Sequence, residues 1–351
     1  MIRHYKYYYS ISNLNYPIQD KMENFECPRI WNVRKLPTTL ESGKRWAIEQ
    51  KLLPSTPPNC PRHRRPTREY SKGEHGCGMF RCTKCNWSRS ITANSFLSHA
   101  HIRPDQLAWI AYGFAWDWSH RQLRNEAVEL ELPPEQQTEY SESTISAWYI
   151  TPHIIILVEL IIICFRYHYC REMIIDHFDL HLQNMKLGGP GKIVQIDESK
   201  FGRRKYNRGR RVEGHWVLGM IEDGSEEVAM MVVEFRDAHT LTEQIRNYIL
   251  PGTTIHTDMW RGYNLLSEAG YVHRRVNHSD PENPFIASDG THTQRIESTW
   301  RPAKNWFRNK QIPADQFPEY LIEYLWRRHI RKRKLDPMEE VLKAIRYFYP
   351  F

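Results

Sequence analysis

Apolar residues recur at helical spacing in the first half of the chain and at strand spacing in most of the second. Between 41 and 53, Trp46, Ile48, Leu52 and Leu53 sit at helical intervals until Pro54, Pro57 and Pro58 end the pattern. From Pro104 to Leu132 the helical period returns through Leu107, Ile110, Ala111 and Phe114, then Leu123, Ala127 and Leu130, before Pro133 and Pro134. Ser141 or Ser143 is placed to cap a helix over SESTISAWYI, and 153–184 is a further helical stretch. Gly188, Gly189 and Pro190 read as a hinge, after which the period changes.

Beyond it, KIVQIDES, HWVLGMIE and EVAMMVVEF are three successive strand-like runs. A helix (TLTEQIRNYIL), a strand (TTIHTD), a helix (WRGYNLLSEAG), a strand (YVHRRVN), a polar loop over 278–292 and a helix from Gln294 follow. The order βββαβαβα predicts an α/β domain, a mixed five-stranded sheet with flanking helices. Short strands such as MFRC and SRSIT lie within 60–99, and 1–40, rich in Tyr and Asn, reads as a poorly specified arm. The predicted division is therefore arm (1–40), helix with a cysteine-rich segment (41–100), helical region (101–187) and sheet domain (188–351).

Composition narrows the function classes. Of 351 residues, 40% are hydrophobic and 13% aromatic, enough to build cores, so a disordered chain is excluded. The N-terminal stretch lacks the apolar core of a secretory signal. The most apolar run, Ile154 to Phe165, contains Glu159 and falls short of the about 20 residues of a bilayer span, so it reads as a buried helix. An intracellular protein with no membrane partner is expected. The net charge of +8 permits an anionic partner, and its placement says more. Arg203, Arg204, Lys205, Arg208, Arg210 and Arg211 crowd one loop, and six further Lys and Arg lie between Arg327 and Lys334. Together they exceed the whole net excess. Such patches suit a DNA phosphate backbone, with solvated surface or a nuclear-import signal as alternatives if the source is eukaryotic.

Two groups of residues point to metal chemistry. Cys60 and His63 form one pair at knuckle spacing and Cys82 and Cys85 a second, about 20 residues on, a donor set suited to a structural Zn²⁺. His63 stands where a second Cys is usual, so His75 and Cys77 are alternatives for that ligand. Asp197 ends the first strand of the sheet domain, Asp258 ends the fourth, and Glu297 lies on the helix after Gln294. If the two strands are adjacent and parallel, the three carboxylates meet at one edge, a donor set for two Mg²⁺ or Mn²⁺ ions. Trp300 and Lys304, three and seven positions after Glu297, share its helix face. Strand alternation turns Glu198 away from Asp197.

The stretch GGPGKIVQIDESKFGRRKYNRGRRVEGHWVLGMIE, followed in order by IHTDMWRGY, YVHRRVNHS and GTHTQRIESTWRPAK, closely resembles the Merlin superfamily of DDE transposases and their bacterial insertion-sequence relatives. FRCTKCNWSRSITANSFLSHAHI is similar to the second half of that group's N-terminal zinc ribbon. The resemblance spans about 45–345 and is strongest over 188–304. It implies an RNase H-like catalytic domain, a two-metal site of Asp197, Asp258 and Glu297, and cut-and-paste transposition on double-stranded DNA by a homo-oligomer that synapses two ends. Residues 104–150 resemble a helix-turn-helix-like region, with Arg121 and Arg124 on its second helix and Trp109, Trp116, Trp118 and Trp148 as its expected core. Lys304 and the 203–211 loop are the expected phosphate contacts. The alternatives are a domesticated DNA-binding protein without mobility and a metal-dependent nuclease.

Overall fold

The computed structural model describes residues 31–70, 77–99, 102–126, 152–202, 214–225, 227–308, 310 and 312–350, with backbone only at 99, 120, 124, 125 and 152–166. The basic loop at 203–211, the helix expected from Ser141, Trp148, His75 and the arm up to residue 30 lie outside the described residues.

The arm expected over 1–40 is docked from Trp31 onward. Trp31 and Leu36 are buried, the Trp31 ring meets Trp46 edge-on, and the Trp31 amide donates to the Asp336 carboxylate at 3.1 Å, a contact across 305 positions. Helix α1 (Leu40–Glu49) starts where Thr39 and Ser42 form a reciprocal cap, and it buries Trp46 and Ala47. A three-stranded antiparallel sheet follows, β1 (Arg68–Tyr70), β2 (Met79–Arg81) and β3 (Ser88–Ser90). Then come α2 (Phe96–His99), α3 (Pro104–Ala115), α4 (His120–Glu126) and the long α5 (Pro152–Asn184). Leu107, Ile110, Ala111 and Phe114 of α3 are all buried, as their spacing predicts, and Trp109 is buried with its indole N–H on the Pro37 carbonyl. Trp116 departs from expectation. It follows the last turn of α3 and is 44% exposed, because the chain leaves the helix there on Asp117, which has a left-handed backbone. Trp118 is partly buried against the core.

The second half begins with β4 (Leu187–Gly188), paired in parallel with β8 (Ile249–Leu250). The expected hinge is a tied corner: the Gly188 amide donates to Glu222 at 2.7 Å and the Gly189 amide to Thr253 Oγ1 at 2.8 Å. The main sheet is mixed and five-stranded. Its strands are β5 (Ile193–Phe201), β6 (His215–Glu222), β7 (Val228–Val233), β9 (Thr254–Asp258) and β10 (Val272–Val276), in the order β10-β9-β5-β6-β7. β5, β6 and β7 pair antiparallel, while β5–β9 and β9–β10 pair parallel. This agrees with the RNase H-like arrangement expected above.

Alternation along β5 assigns the two faces. Val194 and Ile196 join Leu218, Met220, Leu241, Ile245, Ile255 and Tyr263 in one core, covered by α6 (Ala238–Tyr248). The opposite face carries Gln195, Asp197 and Phe201, and packs against α7 (Gln294–Arg308) and α8 (Phe317–Arg333), while α9 (Pro337–Phe348) packs against α3, α5 and α8 in the same core. That second core is continuous with the buried residues of α1, α3 and the small antiparallel sheet. The helix expected over 260–270 is instead a 3-10 turn, Arg261–Tyr263, followed by further turns held by short-range bonds such as Leu266 N–H to Tyr263 O. Gly262 at its start and Gly270, with a positive φ, at its end leave only about two turns of chain between them. No helix among the described residues is long and apolar enough to cross a membrane.

Candidate active site and zinc knuckle

Register brings the first two carboxylates level. β5 pairs β9 in parallel through Ile193–Thr254, Val194–Ile255 and Gln195–His256, so two residues on along each strand stand Asp197 and Asp258. The start of α7, which carries the third carboxylate, is held by β5 itself. Gln195 is fully buried. Its side-chain oxygen accepts from the amides of Arg295 (3.0 Å) and Ile296 (3.4 Å), and its nitrogen donates to Asp223 at 3.3 Å, with His292 Nδ1 3.2 Å away. First-turn amides have no partner within their own helix, so a side chain that accepts from two of them fixes where the helix begins. Glu297 lies in that turn. Gln195 is thus a positioning residue for Glu297, and its place two residues before Asp197 on the same strand face was the available signal.

Each carboxylate has a partner. Asp197 accepts from the Trp300 indole N–H at 2.8 Å. Gly219, directly opposite Asp197 on β6, makes room for that indole: a Cβ there would lie 2.5 Å from Trp300 Cη2. A glycine inside a central strand often marks such a close approach. Trp300 is 6% exposed, so it is both core and hydrogen-bond donor. Asp258 accepts from the Trp260 amide at 2.9 Å. Glu297 accepts from the buried Thr293 hydroxyl at 2.6 Å, and His278 Nε2 lies 3.5 Å away.

Asp197 feels the charges of both other carboxylates. Burial raises the Asp197 carboxyl above its ordinary range, the Trp300 hydrogen bond opposes that shift, and the charges of Asp258 and Glu297 add to it. Burial lowers the Lys304 ammonium, and Asp197 opposes that shift. Lys304 lies with its Nζ 5.6 Å from the Phe201 ring centroid, on the exposed face of α7. Glu198 points to the other face, as alternation predicts. Its side chain is 2% exposed and lies 3.5 Å from Arg236, and burial pushes its carboxyl up to about 7 against the pull of Arg236.

The cysteine group also assembles. The donor atoms of Cys60, His63, Cys82 and Cys85 all lie within 4.8 Å of one another. Cys60 Sγ is 3.7 Å from Cys85 Sγ, and His63 Nδ1 is 3.6 Å from Cys82 Sγ. The Lys84 amide donates to Cys82 Sγ at 3.4 Å and, as the leading cause, draws that thiol down to about 6. Cys77 sits apart, buried in the apolar core with its thiol raised by burial, so His63 completes the group. Three sulfurs and one imidazole suit Zn²⁺.

The basic run at 327–334 is in part structural. Arg327 is buried, pairs with Glu323 at 2.8 Å and donates to the carbonyls of Phe114 (2.7 Å) and Ala115 (3.0 Å) at the end of α3. Arg333 faces Glu227 at 3.3 Å.

Residues 186–329 match the family model of the ISXO2-like transposase domain, a DDE transposase type. An uncharacterized transposase-like protein of Haemophilus influenzae is 30% identical over 102 residues, which are 29% of this chain and 80% of that protein. The chain belongs to the ISXO2-like DDE transposase family. Among solved structures, this transposase is similar to the catalytic core domain of BIV integrase, at 15% identity and a TM-score of 0.27 over 45% of the transposase and 97% of that core. It also matches a chain of a simian T-cell lymphotropic virus intasome at 20% identity and a TM-score of 0.26, covering 41% of the transposase and 52%, about half, of that chain.

Proposed function

We propose that this chain cleaves DNA strands at transposon ends and joins them to target DNA, with Asp197, Asp258 and Glu297 as the divalent-metal site. The observation that supports the proposal is the parallel β5–β9 register, which ends two residues before Asp197 and Asp258, together with the bond from Gln195 to the first turn of α7, where Glu297 lies. Asp197, with the charges of Asp258 and Glu297 pressing on it, makes a donor set that suits hard cations, Mg²⁺ or Mn²⁺. When bound, such a metal pair would activate the attacking oxygen and stabilise the leaving one.

The chain's own residues supply the rest. Trp300 fixes the Asp197 carboxylate, Trp260 fixes Asp258, and Thr293 holds Glu297. Lys304 and the basic loop at 203–211 bind phosphates beside the reacting bond. In the first step water attacks phosphorus and the 3′ oxygen leaves as a hydroxyl. That hydroxyl then attacks a target phosphodiester and releases a target 3′ hydroxyl, so the bonds balance. The knuckle holds Zn²⁺ through Cys60, His63, Cys82 and Cys85, and the ribbon with the helical region binds the terminal DNA. Placement with the Merlin superfamily, synapsis of two ends by a homo-oligomer and a nuclear site of action in a eukaryote belong to the same proposal.

Incubation of the full chain with labelled terminal-repeat DNA and Mn²⁺ tests it. Cleavage with joined product is expected. Cleavage alone would make it a nuclease, and retarded but intact DNA would make it a binding protein. Asp197→Asn should keep DNA binding and lose both reactions, and strand transfer by that variant would overturn the site.

A further inference from the structure

We propose that the exposed indole of Trp260 is a stacking platform for an unpaired nucleobase of a DNA strand at the edge of the active site. Trp260 is two residues beyond Asp258, and its own amide holds that carboxylate at 2.9 Å. Trp260 is 41% exposed, yet its ring is held in place. The Arg236 guanidinium carbon lies 4.6 Å from its centroid. Arg236 is itself fixed, 3.9 Å from the Trp216 ring centroid and 3.5 Å from the buried Glu198 carboxylate. From another side, Gly262 lets the backbone close on the indole: a Cβ there would lie 2.7 Å from Nε1.

A large aromatic ring that is both exposed and immobilised loses little entropy when a ligand covers it. Met259 and Phe235, neighbours in sequence of Trp260 and Arg236, are exposed as well, at 55% and 61%. Cations border the patch: Arg236, and Lys200, whose Nζ lies 5.5 Å from the Trp216 centroid. An aromatic face beside fixed cations matches a flat base attached to a phosphate. Bases in an intact duplex have both faces stacked, so the ligand is a base outside the helix, in a splayed or single-stranded segment. The inference rests on the DNA-processing function proposed above, and it adds the form of DNA that this edge takes.

The test uses the full chain and one duplex in two forms, fully paired or with a splayed oligo(dT) end. The wild type should prefer the splayed form. Trp260→Ala should weaken binding to that form about ten-fold and leave the paired duplex within about two-fold, while Trp260→Phe, which keeps a π face, should recover most of the loss. In the wild type, 2-aminopurine placed in the splayed end should lose fluorescence on binding, a readout that does not depend on a variant folding. Equal losses on both forms, no loss on either, or unquenched 2-aminopurine would overturn the platform while leaving the transposase reading standing. Failure of the wild type to bind either form would overturn both.

Discussion

Cys60, His63, Cys82 and Cys85 come from turns of a small ribbon, whereas Asp197, Asp258 and Glu297 come from two strands and a helix of a two-faced core. In the ribbon, β1 is exposed along its length and Phe80 is the one buried residue of the three strands. Little apolar burial holds its turns together, and structural zinc sites of this type supply folding energy of order 10 kcal/mol. In the sheet domain, both faces of β5 are packed and each carboxylate has a hydrogen bond of its own. On the proposed function, the ribbon would need its metal in order to fold, and the carboxylate site would need its metal only in order to react.

The largest expected effect separates the two directly. Cys82→Ser should lower zinc content from about one ion per chain to near zero and unfold the ribbon, and chelation of the wild type should do the same. Zinc analysis with limited proteolysis reads this out, and a ribbon that stays protease-resistant without zinc would break the comparison. Next is Asp197→Asn, which should reduce cleavage at least about 10³-fold, equivalent to roughly 4 kcal/mol. It should leave thermal stability unchanged or higher, since burial already disfavours that charge. A marked loss of stability would mean that the carboxylate is structural.

Gln195→Ala comes third. It strips the acceptor from two buried α7 amides and should cost about 1–3 kcal/mol in denaturant unfolding. If Gln195 places Glu297, the variant should also raise the Mn²⁺ concentration needed for half-maximal cleavage, which a purely structural loss would not move. Smallest is a pH effect that sets the window for the others. His329, beside His181 and Arg333 and with Glu227 facing it, is held down to about 4, chiefly by burial. The folded chain then takes up fewer protons than the unfolded chain between about 6.5 and 4. Stability should be full above 6.5 and fall as pH drops through that interval, by about 1–2 kcal/mol once partial exposure is discounted. Thermal melts of His329→Phe against the wild type check it, and the slope should flatten in the variant.

Much of this architecture is legible along the chain. Strand alternation placed Asp197 and Glu198 on opposite faces, and the strands of the two aspartates are adjacent and parallel, but Asp197, expected at a strand end, lies in the middle of β5, which runs on to Phe201. Knuckle spacing located four donors that do lie together, and Cys77, one alternative for the fourth, is buried apart from them. What local pattern could not convey was pairing across long separations. Trp31 is docked by Asp336, and Arg327, which reads as one charge in a basic run, is consumed by Glu323 and two carbonyls of α3. The stretch 260–270 has helical spacing, yet its tight turns serve to seat Trp260 beside Asp258. Gly219 did carry a local signal, a glycine within a buried strand, and its meaning appears only opposite Trp300.

On the proposed function, the three carboxylates form a divalent-metal site separate from the Cys/His knuckle. Mn²⁺ titration of the zinc-loaded chain, followed by electron paramagnetic resonance, tests it most directly. Mn²⁺ should bind the wild type, bind far more weakly to Asp197→Asn, and leave zinc content unchanged in both. Undiminished Mn²⁺ binding by Asp197→Asn, or displacement of zinc as Mn²⁺ binds, would contradict the account.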